Sequence, residues 1–313
     1  MRHFLRRAKT SARRLLTPPV RLDLVDRANE YYARSYRGRR ITVREMPSVG
    51  AGSRVFTIGS CFAREVRAAL SRMGVETVPD YQSILNATHV NHYNTFSIRE
   101  EVHRALSGGR GEYFLRSKTK PGRLQGIYGP EIWQDPLRRY VFASTEDEIV
   151  SLSAKLDEAI RFAVETADAY VITLGLTEVW GDGQGHWFNQ SPEGPKAEYV
   201  LEQTTFSQNY ENVAAICDGL QKPIILTVSP VPLKRTFSDD DVVVANTESK
   251  SILRAVAGQI AREFAHVTYW PSFEIAQATD MFEADGRNVT RRGVSKIISA
   301  FMAASGERTA RRA

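Results

Sequence analysis

Three stretches of nearly unbroken apolar residues dictate what this chain can become. They are Val55-Phe-Thr-Ile58, Ala169-Tyr-Val-Ile-Thr-Leu174 and Pro223-Ile-Ile-Leu-Thr-Val228. Each is short, rich in β-branched residues, and closed by a small or polar residue: Gly59, Gly175 or Ser229. Runs of this kind predict strands buried on both faces. Weaker strand patterns follow at Val75–Val78 and His266–Trp270. Between them apolar residues recur at helix spacing, first at Phe62, Val66, Ala69, Leu70 and Met73. Further helices are predicted near 97–106, from Glu148 to about Thr166, near 207–220, over 247–264, and from beyond Asn288 to about Ala304. Strand and helix alternate about five times, which predicts an α/β domain with a parallel sheet of about five strands covered on both faces. Right-handed crossovers place every strand's carboxyl end on one edge. That edge then gathers Ser60-Cys61, Gly175-Leu-Thr-Glu178, Ser229-Pro230 and the loop at Asp285, which are far apart along the chain.

The remaining segments read as connections. Residues 107–138 form an insertion rich in Gly, Lys and Arg, with Tyr113, Phe114, Tyr128 and Trp133 interspersed. It suits either a lid that stacks rings on a sugar or a loop whose rings pack on the domain. Residues 181–205 read as a polar loop. The α/β domain is expected over 45–304, between a basic arm (1–44) and a basic tail (305–313).

Charge is uneven. The whole chain is +6, but residues 1–40 hold twelve Arg or Lys against Asp23, Asp26 and Glu30, so the rest is mildly acidic. The arm's Phe4, Leu5, Ala8, Leu15 and Leu16 among arginines suit a basic amphipathic helix ended by Pro18-Pro19. It lacks the uninterrupted apolar core of a secretory signal. Peripheral docking on an anionic membrane face is one function for it. Nucleic-acid contact is the less favoured one, and a plain solvated arm is the simplest. Cys61 and Cys217 are the two cysteines, so a disulfide framework is excluded and a reducing, cytoplasmic compartment is expected. No apolar run approaches membrane-spanning length. There is no internal repeat, phosphate loop, dinucleotide fingerprint or zinc-spaced His/Cys cluster.

The turn at Gly59-Ser60-Cys61 carries the candidate chemistry. It lies where a strand's carboxyl end meets a helix's amino end, so free backbone N–H groups and the positive end of the helix dipole point at it. A thiol placed there ionises more readily, and the thiolate is the reactive form. Ligands of open α/β sheets bind at this edge. The alternative is structural: Ser60 as a helix cap and Cys61 as a small buried residue.

Gly59-Ser-Cys-Phe-Ala63 resembles the signature of the GSCFA family. Tyr93-Asn-Thr95, Thr173-Leu-Gly-Leu-Thr-Glu-Val-Trp180, Thr227-Val-Ser-Pro-Val-Pro-Leu233 and Ser249-Lys-Ser-Ile-Leu-Arg254 are similar to its other segments, in order, over roughly residues 45–303. That family is placed with the SGNH/GDSL hydrolases, which implies a three-layer, flavodoxin-like (SGNH-type) domain acting on esters. The resemblance puts Gly59 at the glycine of the first block and Cys61, or else Ser60, at the nucleophile. Gly175 and Thr177 fall on the block that helps to hold the oxyanion, with Asn94 as another donor. It also puts Asp285-Gly-Arg-Asn288 on the last block, where Asn288 replaces the histidine base, and an amide cannot take a proton at neutral pH. His92, His89, His186 and Glu178 are the candidate substitutes, with His92 best placed and Asp285 beside the base position. The implied reaction is acyl transfer. Water as acceptor makes an esterase, and a sugar hydroxyl makes an O-acyltransferase for a bacterial surface polysaccharide. The alternative is an inactive binding module. No cofactor is expected beyond acyl-CoA as a donor, and the expected partner is a small-molecule or carbohydrate ester.

Overall fold

The computed structural model describes residues 41, 43–85, 87–193, 198–279 and 281–305. The basic arm and tail therefore fall almost wholly outside the described residues. The central sheet holds β1 (Arg54–Gly59), β2 (Glu76–Val78), β6 (Ala169–Leu174), β10 (Ile224–Val228) and β11 (Val267–Tyr269). All four pairings are parallel, and the spatial order is β2-β1-β6-β10-β11. Counting sheet strands alone, this is the 2-1-3-4-5 order of flavodoxin-like folds, whose strand order reverses between β1 and β6. The expected fold class is the one observed.

Period-two alternation divides the core. Phe56, Ile58, Tyr170, Ile172, Leu174, Ile224, Leu226 and Val228 belong to one large cluster with residues of α4 (Glu146–Thr166), α5 (Phe206–Gly219) and α6 (Val242–Glu263). Helix α2 (Thr95–Ser107) packs on α4 and α5 in the same layer. In the other layer, α1 (Cys61–Arg72) contacts α8 (Arg291–Ala304), and α7 (Ser272–Thr279) contacts β10. Trp270 links these elements, with ring centroids 6.3 Å from Phe62 and 5.1 Å from Phe301.

Helix boundaries follow their caps. Thr145 with Glu148, and Thr205 with Gln208, form capping boxes at the starts of α4 and α5. Helix α6 begins five residues before the sequence pattern predicts because Asp241 accepts from the Val243 N–H at 2.8 Å.

Two expected loops contain strands. Residues 107–138 hold β3 (Leu115–Lys118), α3 (Arg123–Tyr128) and β4 (Glu131–Gln134), and β3-β4-β5 make an antiparallel sheet with β5 at Phe142–Ala143. The segment 181–205 contributes β8 (Trp187–Phe188) and β9 (Val200–Gln203), which flank β7 (Glu178–Gly181). These strands are two to four residues long, too short for periodicity to reveal. Phe188 and Trp180 join Leu115 in a small second core, so the two minor sheets are packed structure. Helix α7 begins at Ser272, directly after Pro271.

Candidate active site

The corner after β1 tolerates no side chain at its first residue. Gly59 has φ +134°, and an added Cβ would lie 2.2 Å from the Thr173 carbonyl oxygen. The glycine thus lets β1 and β6 close together at the point where the strand order reverses. The Ser60 N–H donates to the same carbonyl at 3.2 Å. Ser60 is extended, buried, and accepts from the Phe62 N–H at 3.3 Å, so its hydroxyl caps α1. Cys61 opens the helix and is a free, half-buried thiol. As a first-turn residue its N–H has no carbonyl within the helix to donate to.

A second glycine brings the next strand end against this corner. A Cβ on Gly175 would sit 2.4 Å from the Tyr93 carbonyl oxygen and 3.2 Å from Ser60 Cβ. The Leu176 N–H donates to that Tyr93 carbonyl at 2.9 Å. Tyr93 has its phenol hydrogen-bonded by Arg139, whose guanidinium lies 5.0 Å from the ring centroid. Burial pushes that phenol up to about 12, with Arg139 opposing and the nearby Cys61 reinforcing the rise.

Lys250 completes the cluster. The Thr177 N–H donates to Ser249 Oγ at 3.1 Å, which ties α6 to the end of β6. One residue on, Lys250 is 3% exposed and its Nζ donates to the Gly175 carbonyl at 2.6 Å. Burial pulls its ammonium down to about 7; Cys61 acts in the opposite direction and Arg287 adds to the fall. At the neighbouring strand end the Ser229 hydroxyl is buried without a hydrogen-bond partner. Gly59, Ser60, Cys61, Gly175 and Thr177 are thus brought together, as convergence on one edge predicts, and Lys250 joins them.

Several expected site residues face elsewhere. His92 is fully buried, and its Nε2 pairs with Glu101 Oε2 at 2.7 Å. That carboxylate also accepts from Arg138 Nε at 2.8 Å, within a sealed cluster with Asp135, Ser153 and Asp157. Only the His92 backbone reaches the corner, where its N–H donates to the Gly59 carbonyl at 2.7 Å. His89 turns its imidazole towards the Gly59 backbone, but it is buried, and desolvation, with Arg67 assisting, drives that imidazole down to about 3. His186 is stacked 4.1 Å from the Tyr113 ring centroid and tied to Asp182 at 2.6 Å. With Phe96, Arg99, His103 and Trp187 it lines a cavity of about 310 Å³ beside α2, away from the Gly59 corner.

Asn94 caps α2 through its oxygen (Ser97 N–H, 2.8 Å), while its amide donates to the Phe188 carbonyl at 2.9 Å. Neither end is left for an oxyanion. Glu178 accepts from the Thr236 hydroxyl and, at 3.2 Å, from the Phe237 N–H, so it braces the loop before α6. Asp285 is exposed and accepts from the N–H groups of Arg287 and Asn288, each at 2.9 Å, and from the Asn288 amide at 2.5 Å. Those bonds hold its carboxyl below the usual range. The Asp285–Asn288 turn closes on itself, and its link to the corner is the electrostatic influence of Arg287 on Lys250.

A sequence model described as the GSCFA family matches residues 54–301. The chain belongs to the GSCFA family. No curated protein matches significantly. Among solved structures, a mutant of Axe2, an acetyl-xylooligosaccharide esterase from Geobacillus Stearmophilus, is similar at a TM-score of 0.34 and 11% identity. The match covers 85% of this GSCFA chain and 100% of that one. Among the described residues no helix is long and apolar enough to cross a membrane, and no group of three or more His, Cys, Asp or Glu could hold a metal ion.

Lys250 is the residue that sequence reasoning missed, although it lies within the matched residues 54–301. A signal was present. The buried positions of α6 are Ala245, Ser249, Lys250, Leu253, Val256, Ala257 and Ile260, so a lysine stands within the apolar stripe of an amphipathic helix.

Proposed function

We propose that this GSCFA protein is an acyl-transfer enzyme acting on ester bonds, with Cys61 as its nucleophile. The supporting observation is the company Cys61 keeps: a half-buried thiol on a helix N-terminus, at the point where the strand order reverses, with a buried lysine against the adjoining strand end. Ser60 is the weaker candidate, because its oxygen is buried and engaged in capping. The thiolate attacks an acyl carbonyl to give a thioester, and the Cys61 N–H, left free by the helix start, suits the developing oxyanion. Transfer to water makes an esterase; transfer to a sugar hydroxyl, with acyl-CoA as donor, makes an O-acyltransferase for a surface polysaccharide. The test is turnover of short aryl esters, and of acyl-CoA with sugar acceptors, by wild type, Cys61→Ala and Ser60→Ala. Wild-type activity abolished by Cys61→Ala and retained at a tenth or more in Ser60→Ala is expected. Absence of turnover on every substrate refutes the proposal.

A second reading, a binding module without turnover, is favoured by one observation. Asn288 occupies the expected base position, and the nearest candidate histidines, His89 and His92, are sealed. Tight carbohydrate or acyl-CoA binding by thermal shift, without turnover, would establish it.

A further inference from the structure

We propose that Lys250 is the proton acceptor for Cys61, the role that Asn288 cannot fill. Its use in turnover rests on the acyl-transfer reading above; the pairing rests on the Gly175 peptide, which touches both the Lys250 amine and the corner that bears the thiol. The amine lies 2.6 Å from the Gly175 oxygen, and Gly175 abuts Ser60 with its missing Cβ 3.2 Å from the serine's. Lys250 is therefore one peptide unit away from the corner that bears the thiol. Buried ammonium groups are ordinarily paired with carboxylates. The ionisable groups acting on Lys250 are instead Cys61, from α1, and Arg287, from the turn before α8. An ammonium has three N–H donors, and one partner is seen, the Gly175 carbonyl. Burial brings the amine down to about 7, so at physiological pH a share of it is neutral and has a lone pair to take a proton.

The steps balance. The Cys61 S–H proton passes to the neutral Lys250 amine, leaving thiolate and ammonium. The thiolate adds to the acyl carbonyl, forming the C–S bond and moving the C=O pair onto oxygen. Collapse re-forms the carbonyl and breaks the C–O bond of the ester, and the ammonium returns its proton to the departing alkoxide. The acceptor, water or a sugar hydroxyl, then gives its proton to the amine and attacks the thioester. The thiolate leaves and takes the proton back from the ammonium.

The test is iodoacetamide alkylation of Cys61 in the full chain, followed by peptide mapping so that buried Cys217 does not contribute. Wild type, Lys250→Met and Lys250→Arg are compared across roughly pH 5–9.5. Lys250→Met is expected to slow alkylation at pH 7 about tenfold, the change that one unit of thiol ionisation represents. Lys250→Arg keeps the charge but cannot accept a proton, so alkylation persists while ester turnover falls at least tenfold. A folded Lys250→Met protein with the wild-type alkylation profile overturns the proposal. Should that variant not fold, competitive acetylation of the Lys250 amine in wild type and Cys61→Ala decides. Higher amine reactivity without the thiol supports the pair, and equal reactivity overturns it. Coupled alkylation without turnover on any ester supports the pair and overturns only the acyl-transfer reading.

Discussion

Replacing Arg138 by Met isolates the buried ionic cluster that stands behind the His92–Gly59 contact. Arg138 is 1% exposed, and its guanidinium donates to Glu101 Oε1 at 2.5 Å and Oε2 at 2.8 Å, to Ser153 Oγ at 3.0 Å, to Asp135 at 3.3 Å, and to Asp157. Met fills most of the aliphatic stem's volume, so the loss is chiefly that of the cation. Three buried carboxyl groups then lose their common partner. Breaking a buried ion pair from one side costs about 3–5 kcal/mol, out of a total stability of about 5–15 kcal/mol for a domain. The penalty should also depend on pH. Burial alone would raise Glu101, but Arg138 outweighs it, with His92 assisting, and holds the carboxyl well below its ordinary value. A folded-state value below the unfolded one means that the wild-type contribution is present above the usual carboxylate range and is lost as pH falls. Without Arg138 the burial effect dominates. Glu101 then joins Asp135, already raised by burial despite Arg138, in favouring the protonated form. The variant is accordingly most destabilised at pH 7–8, and its gap from wild type narrows towards pH 5. Urea denaturation read by circular dichroism at several pH values measures this. A loss below about 1 kcal/mol, or a gap that does not change between pH 8 and pH 5, would refute the reasoning.

Other expectations concern the corner and its surroundings. Gly59→Ala must relieve a 2.2 Å contact and accept φ +134°, and should cost about 2–5 kcal/mol by urea denaturation. Gly52→Ala, at φ +90° with no atom within 4 Å of the added carbon, isolates the backbone share and should cost about 1 kcal/mol. Asn94→Ala removes the α2 cap and the bond to the Phe188 carbonyl together, so a loss of about 1–3 kcal/mol is expected from the melting shift. Glu178→Gln should leave the Cys61 alkylation rate within about twofold of wild type, while amide exchange at Phe237 accelerates, because the carboxylate braces that loop.

Legibility in the sequence followed burial. The six residues of β6 and the five of β10 are all buried, which is why their apolar runs stood out, and their alternation with helices sufficed for the parallel sheet and its shared edge. The short strands escaped because they bury so little: β3 and β4 bury two residues each, with Arg116 and Lys118 exposed in β3, β8 buries Phe188 alone, and β9 buries none. Motif spacing also located the corner, since Gly59 and Gly175 are both glycines for steric reasons. It failed for side-chain direction. Nothing in His89-Val-Asn-His92 tells that the imidazole of His92 turns towards Glu101 and Arg138, because those partners lie 9 and 46 residues further along the chain. Asn94 and Glu178 misled similarly: each sits at the right strand or helix end, with its polar atoms already taken by neighbouring backbone.

Asn288 and Lys250 bear on one question, the fate of the nucleophile's proton. A serine hydroxyl barely ionises in water, so it needs a strong, well-aimed base, and an imidazole on the loop before the last helix would supply one. A thiol, with an ordinary pKa near 8.5, needs only a neighbour of similar proton affinity. In this chain the last loop is a closed turn, with Asp285 bonded to its own Asn288, and the one cation it sends towards the corner is Arg287. That charge disfavours the protonated form of Lys250 and so leaves more of the amine neutral at physiological pH, at some cost in its strength as a base. Arg287→Gln should therefore raise the pH at which Lys250 loses its proton, shifting the lysine's acetylation profile upwards. An unchanged profile would disconnect the loop from the site.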